Sequence, residues 1–463
     1  MTNGQPWHHW HVERQINPTV ATPSPNPRAP VAALLSFVFP GLGQAYNGQS
    51  GLAWLLAAPA LVLVGAVTVA MLVGTPRLLA LLFDFRFLLG LIVLDLVLLA
   101  WRLVAVVQAH GRRERPRLRS WASWLTAGLV TVTLAMHVLP AYYAVKAIDT
   151  LDAVALGGAH GNDLGDRFSF FSGLPQPSGQ PDVKEGERVN ILLVGVDSAP
   201  GRTTALTDTM LVVSLDPSGT RSAMISVPRD LYGTPLPDGR TYNAKLNSLM
   251  VRAAANPEDY PLGGVGTLKA AIGELLGVRI HYFAAINLLG FKQTVDAIGG
   301  VDITVERRIS DPTYIDEFGR QVGFYIKPGT YHMDGRTALA FVRSRKGAGD
   351  NDFTRADRQQ QLLAAVRAKL TAGNLLLALP SLLDAVKNTI ATDVPSDRIA
   401  ELAQAVQGAD MSQLQRIVLQ PPDFMTADPF SSAGYILIPD LEAIRAIGVA
   451  LLGAVAPTPK PFP

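Results

Sequence analysis

Apolar and polar positions divide the chain into three stretches. Between residues 31 and 145 apolar residues run in long blocks; from 146 to 188 Gly, Pro and Asp dominate; from Val189 onward short apolar runs alternate with polar turns. Three blocks, at about 52–74, 83–108 and 121–145, have the length that a hydrocarbon core requires of a helix. A shorter block, VAALLSFVFPGLGQAYNGQSG (31–51), is broken by Pro40, Gly41 and Gly43. That pattern predicts an interfacial or re-entrant piece over about 31–46. Residues 1–30 are polar and Pro-rich and read as a disordered tail. Residues 146–188 read as a tether, and 189–463 as a separate domain outside the bilayer.

In that domain, VNILLVGVDS (189–198) is a continuous apolar run ended by Asp197, the pattern of a buried central strand. TMLVVSLDP (209–217) and RSAMISVPRDL (221–231) flank a DPSG turn and predict a hairpin. Pairing Leu215 with Arg221 sets Asp208 opposite Pro228, beside Arg229. LGGVGTLKAAIGELLG (262–277) predicts a helix; its glycines complete neither GxGxxG nor GxxxxGK[ST], so they read as turn and cap residues. HYFAAINL and VDITVE predict strands around a helix from Gly290 to Ile298, closed by Gly299 and Gly300. GFYIKPGTYHMDG gives an extended piece and a turn. Asp334 is a candidate N-cap for a short helix over 336–342, with a strand as the alternative. Farther on, LLLALPSLLDAVKNTI, RIAELAQAVQ and LEAIRAIGVALLG read as helices and LQRIVLQ as a strand. The expected fold class is α/β, a mixed β-sheet flanked by helices, preceded by an all-α multi-span membrane region.

Composition narrows the function. Hydrophobic residues make up 48% and charged residues 17%, with a net charge of +2, so no global basic field points to nucleic acid. The absence of cysteine excludes disulfides and thiolate metal sites. The loop GRRERPRLRS (111–120) carries five arginines against one glutamate and marks a cytoplasmic loop. With three spans, the N-terminus is then cytoplasmic and the domain after residue 146 extracytoplasmic. Asp84, Arg86, Asp95 and Arg102 lie in or beside the second span, where pairing between helices or snorkelling is preferred to a polar path. His8, His9 and His11 have no further ligand nearby in sequence, which speaks against a metal site.

The densest chemistry lies in FVRSRKGAGDNDFTRADRQQQLLAAVRAKL (341–370). Arg343 and Arg345 share a face if extended. Arg355 and Gln359 share one if helical, with Leu362, Leu363, Val366 and Leu370 as the apolar stripe. Permanently charged guanidinium forks suit phosphate oxygens; a solvated, salt-bridged helix start is the competing reading. Asp350 and Asp352 are expected to order the arginines. Lys245 and Asn247 are expected to be structural.

VGVDS, DTM, ISVPRDL, AIGGVDITV, KPGTYHMDG, ALAFVRSRK and FTRADRQQQLL occur in this order. Together, over about 189–370, they resemble the LytR-CpsA-Psr family of bacterial cell-envelope proteins. The resemblance implies a membrane-anchored phosphotransferase in the bacterial cytoplasmic membrane. It would move a glycopolymer from a polyprenyl-pyrophosphate carrier to peptidoglycan or another wall acceptor. It implies Asp197 and Asp208 as ligands of Mg²⁺ (or Mn²⁺), and Asp208 and Arg229 as catalytic. It implies Arg229, Arg343, Arg345, Arg355 and Gln359 as phosphate-binding, with Arg358 and Arg202 as further candidates, and an apolar channel for the prenyl tail. The partners implied are the lipid-linked glycopolymer, the wall acceptor and membrane lipid, without nucleic acid. Two features depart from the family pattern. Leu206 stands where RSDTM has its arginine, with Arg202 on the same loop as a substitute, and several spans replace the usual single one. A non-catalytic polyprenyl-phosphate-binding regulator and a polyprenyl-pyrophosphatase are the competing functions.

Overall fold

The computed structural model describes residues 28–73, 85–111, 121–154, 188–197, 206–216, 222–347, 349–369 and most of 381–453. The N-terminal histidines, the basic loop, Asp84, Arg202, most of the tether and most of the two helices expected over 375–407 lie outside the described residues. The chain divides into two compact units: Met1–Gly65 with Leu96–Val138, and Ala66–Asp95 with Leu139–Pro463.

Among the described residues three helices are long and apolar enough to cross a membrane: α3 (Ser50–Val73), α4 (Phe85–Gly111) and α5 (Trp121–Val154). They match the three apolar blocks, and α5 runs on through the first nine residues of the expected tether. Ahead of them, the broken segment forms α1 (Arg28–Val38) and the one-turn α2 (Leu42–Tyr46). Gly41 has φ +100°, and a Cβ on Gly43 would lie 1.9 Å from the Ala32 carbonyl oxygen. The glycines therefore set a tight reversal that other residues cannot make.

Several polar groups in the first unit are satisfied internally, as an apolar surrounding demands, although the buried Trp101 Nε1 has no hydrogen-bond partner. The buried Gln44 accepts from Ser36 Oγ at 2.9 Å and donates to the Ala105 carbonyl at 2.8 Å and Gln108 Oε1 at 3.0 Å. Arg102 donates to the Phe37 carbonyl at 2.9 Å, capping the C-terminal end of α1. This is the helix-pairing role preferred for Arg102 from sequence.

The second unit is built on a mixed six-stranded sheet. Its strands are β1 (Val189–Asp197), β2 (Leu206–Leu215), β3 (Ala223–Ser226), β6 (Tyr282–Asn287), β11 (Ile390–Thr392) and β12 (Gln415–Val418), while β4 (Tyr232–Pro235) and β5 (Thr241–Lys245) pair as a separate ribbon. The order is β11-β6-β1-β2-β3-β12, with β1/β6 and β3/β12 parallel and the other pairs antiparallel. The expected fold class holds.

One face of the sheet carries Leu192, Val194, Val196, Met210, Val212 and Ile225, all at most 2% exposed. They pack on α6 (Leu249–Ala255), α7 (Gly263–Leu276) and α11 (Leu441–Leu452) through Leu249, Leu268, Ile272 and Ile444. Strict alternation along β1 then sends Ile191, Leu193, Gly195 and Asp197 to the opposite face. There Ile191, Leu193, Val213, Ala284 and Ile286 stay half-buried.

A second core gathers α8 (Leu288–Ala297), β7 (Val301–Val305), β10 (Gly329–Met333), α9 (Gly335–Arg343) and α10 (Asp352–Lys369) around Ile303, Met333, Phe341 and Leu362. VDITV thus forms a strand as expected, but pairs with β10 in a separate ribbon rather than joining the large sheet. Asp334 caps α9, accepting from the Thr337 N–H at 2.8 Å, and this settles 336–342 as helix. Helix α10 crosses the half-buried sheet face: Gln360 Nε2 donates to Ser226 Oγ at 2.9 Å and to the Ile417 carbonyl at 2.8 Å.

Candidate functional site

The site begins with an irregularity. Between β1 and β2 the register runs Val194↔Met210, Gly195↔Thr209, then Val196↔Thr207, so Asp208 is the extra residue of a β-bulge. In an unbroken ladder Asp208 would share the face of Met210 and Val212 and enter the core. The bulge rotates it out beside Thr209 and toward Asp197, at the C-terminal end of β1. Gly195 makes the close approach possible: a Cβ there would lie 2.8 Å from Thr209 Cβ. Gly195→Ala is therefore expected to displace Thr209 and the bulge, lowering activity more than stability. Melting temperature and turnover measured together would show it.

The β2–β3 hairpin meets its expectation with a correction. Leu211 pairs with Ser226 and Val213 with Met224, one residue away from the register inferred from sequence. Continued outward, that register aligns Asp208 with Arg229 itself. Arg229 Nη1 donates to Asp208 Oδ1 at 2.8 Å.

Asp197, Asp208, Thr209, Arg343, Arg345, Arg355 and Gln359 line one open cleft of about 490 Å³. A small adjoining cavity shares Asp208, Thr209, Arg355 and Gln359 and adds Arg229 and Asp352. Arg355 and Gln359 project from the first turns of α10 with the helical spacing expected. Arg343 is the last residue of α9 and Ser344 after it is extended, so Arg343 and Arg345 do not lie on one strand face. The helix end and the loop still bring both into the cleft.

Asp352 is the hub of the cluster. Its Oδ1 lies 3.1 Å from Arg355 Nη1 and 3.7 Å from both Arg229 Nε and Arg345 Nη1. The ordering role expected of it fits this position. Arg343 Nη2 reaches Asp197 Oδ1 at 3.4 Å, while its Nη1 donates to the Ile315 carbonyl at 3.1 Å. The Tyr314 ring centroid lies 5.8 Å from the same guanidinium. Sequence reasoning had no signal for Tyr314 and Ile315, because nothing local to 314–315 says which arginine they meet.

Arg355 is 7% exposed, and its Nη2 donates to the Asp208 carbonyl at 3.1 Å while Nε has no hydrogen-bond partner. Burial pushes its pKa down; Asp352 opposes that shift and the charge of Arg229 adds to it. For Arg229 burial also acts against the charge, but Asp208, Asp352 and Asp230 outweigh it and raise the pKa. Arg355 is thus a buried cation that an added anion would stabilise.

Arg358 is held elsewhere. It pairs with Asp350 at 2.8 Å, donates to the Ser344 carbonyl and stacks over Phe341. Asp350 therefore orders the loop before α10, as expected. Lys245 pairs with Asp230 at 3.0 Å, and the Asn247 N–H donates to the Arg229 carbonyl at 3.1 Å, a structural pairing for both. Leu206 stands directly across from Asp197 in the ladder.

Among the described residues no cluster of three or more His, Cys, Asp or Glu is disposed to hold a metal. Asp197 and Asp208, on one cleft wall, are two hard oxygen donors. Mg²⁺ commonly binds through one or two carboxylates with water and phosphate oxygens completing its shell, and the donor set fits that use.

Fold and cleft define a membrane-anchored α/β domain whose strand ends carry an arginine-rich cleft. The LytR_cpsA_psr family profile matches residues 171–433, more than half of the chain, and the chain belongs to that family. A Bacillus cereus relative, the polyisoprenyl-teichoic acid–peptidoglycan teichoic acid transferase TagU, is 30% identical over 220 residues, covering 48% of this chain and 65% of its own length. The Oceanobacillus iheyensis TagU is 28% identical over 317 residues, covering 66% of this chain and 87% of its own. The crystal structure of B. subtilis TagV aligns with a TM-score of 0.46 and 22% identity, over 58% of this chain and 98% of that one.

Proposed function

We propose that the chain is a glycopolymer phosphotransferase. It takes a polyprenyl-pyrophosphate-linked glycopolymer as donor and a hydroxyl of peptidoglycan or another wall polymer as acceptor. The reading rests chiefly on one observation: the cleft of Arg343, Arg345, Arg355, Asp197 and Asp208 opens at the end of a sheet face on which Ile191, Leu193, Val213, Ala284 and Ile286 are half-buried. A pyrophosphate suits the first part and a prenyl tail the second. Family membership and the names of the TagU relatives support the same class of reaction.

In this mechanism the arginine forks bind and orient the pyrophosphate and neutralise charge as the leaving phosphate forms. Arg229, held by Asp208, points its fork at the cavity shared with Arg355. The acceptor oxygen attacks the phosphorus attached to the sugar. The bond from that phosphorus to the bridging oxygen breaks, and the lipid monophosphate leaves. The acceptor proton passes to Asp197 or Asp208, the carboxylates on that wall. Asp197 and Asp208 would also hold a Mg²⁺ ion, which when bound supplies Lewis-acid neutralisation of phosphate oxygens. An extracytoplasmic domain on the bacterial membrane, with the basic loop inside, gives access to both lipid donor and wall acceptor.

The test uses the full chain with a lipid-linked glycopolymer, with and without Mg²⁺ and acceptor. Metal-dependent release of lipid monophosphate together with acceptor-linked polymer is expected, and Asp208→Ala should lose both. Release that ignores the acceptor would mean a pyrophosphatase. Retained lipid without release would mean a carrier-binding regulator, a reading that Leu206 favours. The Leu206→Arg variant bears on this directly. Position 206 faces Asp197, so an arginine there adds a charged donor at the cleft. Donor affinity is expected to rise about tenfold, the equivalent of about 1.4 kcal/mol, in a titration of the donor.

A further inference from the structure

Residues 309–326 form a ribbon, β8 (Ile309–Asp311) paired with β9 (Phe324–Ile326), whose base packs into the second core through Ile309, Phe324 and Ile326. The acids of this ribbon are turned inward: Asp311, Asp316 and Glu317 are at most 4% exposed. Asp311 Oδ2 accepts from Ser344 Oγ and from the Arg345 N–H, both at 3.2 Å. Asp316 Oδ1 accepts the N–H groups of Phe318 at 3.0 Å and Arg320 at 2.8 Å, which fixes the turn. Glu317 pairs with Lys292 at 3.2 Å.

With the acids tied down, the outward side is apolar and basic. Ile315 is 44% exposed, Phe318 55%, Val322 45% and Tyr325 63%. Arg307, Arg308 and Lys327 are exposed in and beside the same ribbon, as is Glu306, while the exposed Arg320 pairs with Asp316 at 2.7 Å and lies over the Phe318 ring. A rigid turn that spends its carboxylates on internal bonds and presents large apolar groups ringed by cations matches an anionic lipid surface in both hydropathy and charge. The ribbon is also part of the cleft. Its Ile315 carbonyl and Tyr314 ring both hold Arg343.

We propose that the ribbon Ile309–Ile326 docks on an anionic bilayer, seating Ile315, Phe318, Val322 and Tyr325 at the interface and bringing the Arg343 end of the cleft to headgroup level. The choice of lipid rather than protein as partner rests on the reading of the cleft as a lipid-pyrophosphate site. Docking would let the pyrophosphate enter the cleft without the prenyl chain first leaving the membrane.

The chain has no cysteine, so Phe318→Cys gives a unique labelling position. The full chain carrying an environment-sensitive dye there is placed in vesicles of phosphatidylglycerol and phosphatidylcholine with spin-labelled acyl chains. The control is Glu258→Cys, exposed on the turn between the helices that cover the other sheet face. Tyr325→Cys serves as a second probe should labelling at 318 disturb the turn. Quenching at 318 or 325 is expected to exceed that at 258 about threefold or more, and to fall when phosphatidylglycerol is omitted. Equal quenching at the two sites overturns the proposal. So does emission at 318 that changes with protein density in vesicles without spin label, which would assign the surface to a second copy. The measurement involves no turnover, so a failed transferase assay leaves its result standing, and a negative result here leaves the transferase reading intact.

Discussion

Arg355→Lys is expected to lower lipid-phosphate release about a hundredfold, although the charge is kept. Arg355 sits between the cleft and the adjoining cavity and lines both. One arm of its fork meets Asp352 and the other the Asp208 carbonyl, so the plane of the guanidinium is fixed before any phosphate arrives. A lysine supplies a point charge on a flexible stem and cannot span the two cavities. Removing one preorganised donor from a developing anion typically costs about 10²–10³ in rate. Arg355→Ala should fall at or beyond the upper end, because it also leaves Asp352 short of its nearest cation. A lysine variant within about twofold of the native rate would remove Arg355 from the phosphate-binding set.

Asp352→Asn is expected to lower the stability of the domain. Three guanidinium groups face this one carboxylate, and neutralising it leaves them repelling one another across a few ångströms. Breaking a fully buried pair costs about 3–5 kcal/mol; Asp352 is 32% exposed, which reduces the expectation to about 1–3 kcal/mol. That corresponds to a melting temperature lower by roughly 2–4 °C for each kcal/mol. Inorganic pyrophosphate should restore most of the loss, because its charge replaces that of the carboxylate among the same arginines. It should also bind the variant more tightly than the native chain, since Asp352 then no longer repels it. A variant that melts at the native temperature, with unchanged pyrophosphate affinity, would show that Asp352 does not order the cluster.

How far the sequence carried these conclusions depends on the range of each interaction. The meeting of Asp208 and Arg229 was legible because a hairpin is local: two apolar runs around a turn bring their outer ends together. The register was out by one residue, since alternation fixes which face is buried but not how the turn closes. Arg355 and Gln359 were legible from helical spacing, and Asp334 from cap chemistry. A general ordering role for Asp352 was legible from its place beside the arginines; its particular contacts to Arg355, Arg229 and Arg345 were not. Arg343 and Arg345 could not be placed from sequence because Phe341 and Val342 suit strand and helix alike, and the choice followed from the cap at Asp334 and packing in the second core. Nothing within VDITV says that it pairs with β10 instead of the large sheet, for a short apolar run carries no address for its partner. The ribbon at 309–326 carries no local signal for the same reason: its buried acids make sense only once Ser344, Arg345 and Lys292 are beside them.

The bulge at Asp208 sets regular geometry against chemistry. Redesigning β2 as an ideal strand, with Asp208 paired in the ladder, would give a more regular sheet at least as easy to fold. It would also return the position to the strict alternation of the strand, where an acid faces Met210 and Val212 and any sequence optimiser would replace it with valine. A stabilised version of this domain obtained by smoothing its strands would therefore keep the fold and lose the carboxylate. The imperfection in β2 is the feature to hold fixed in engineering the protein.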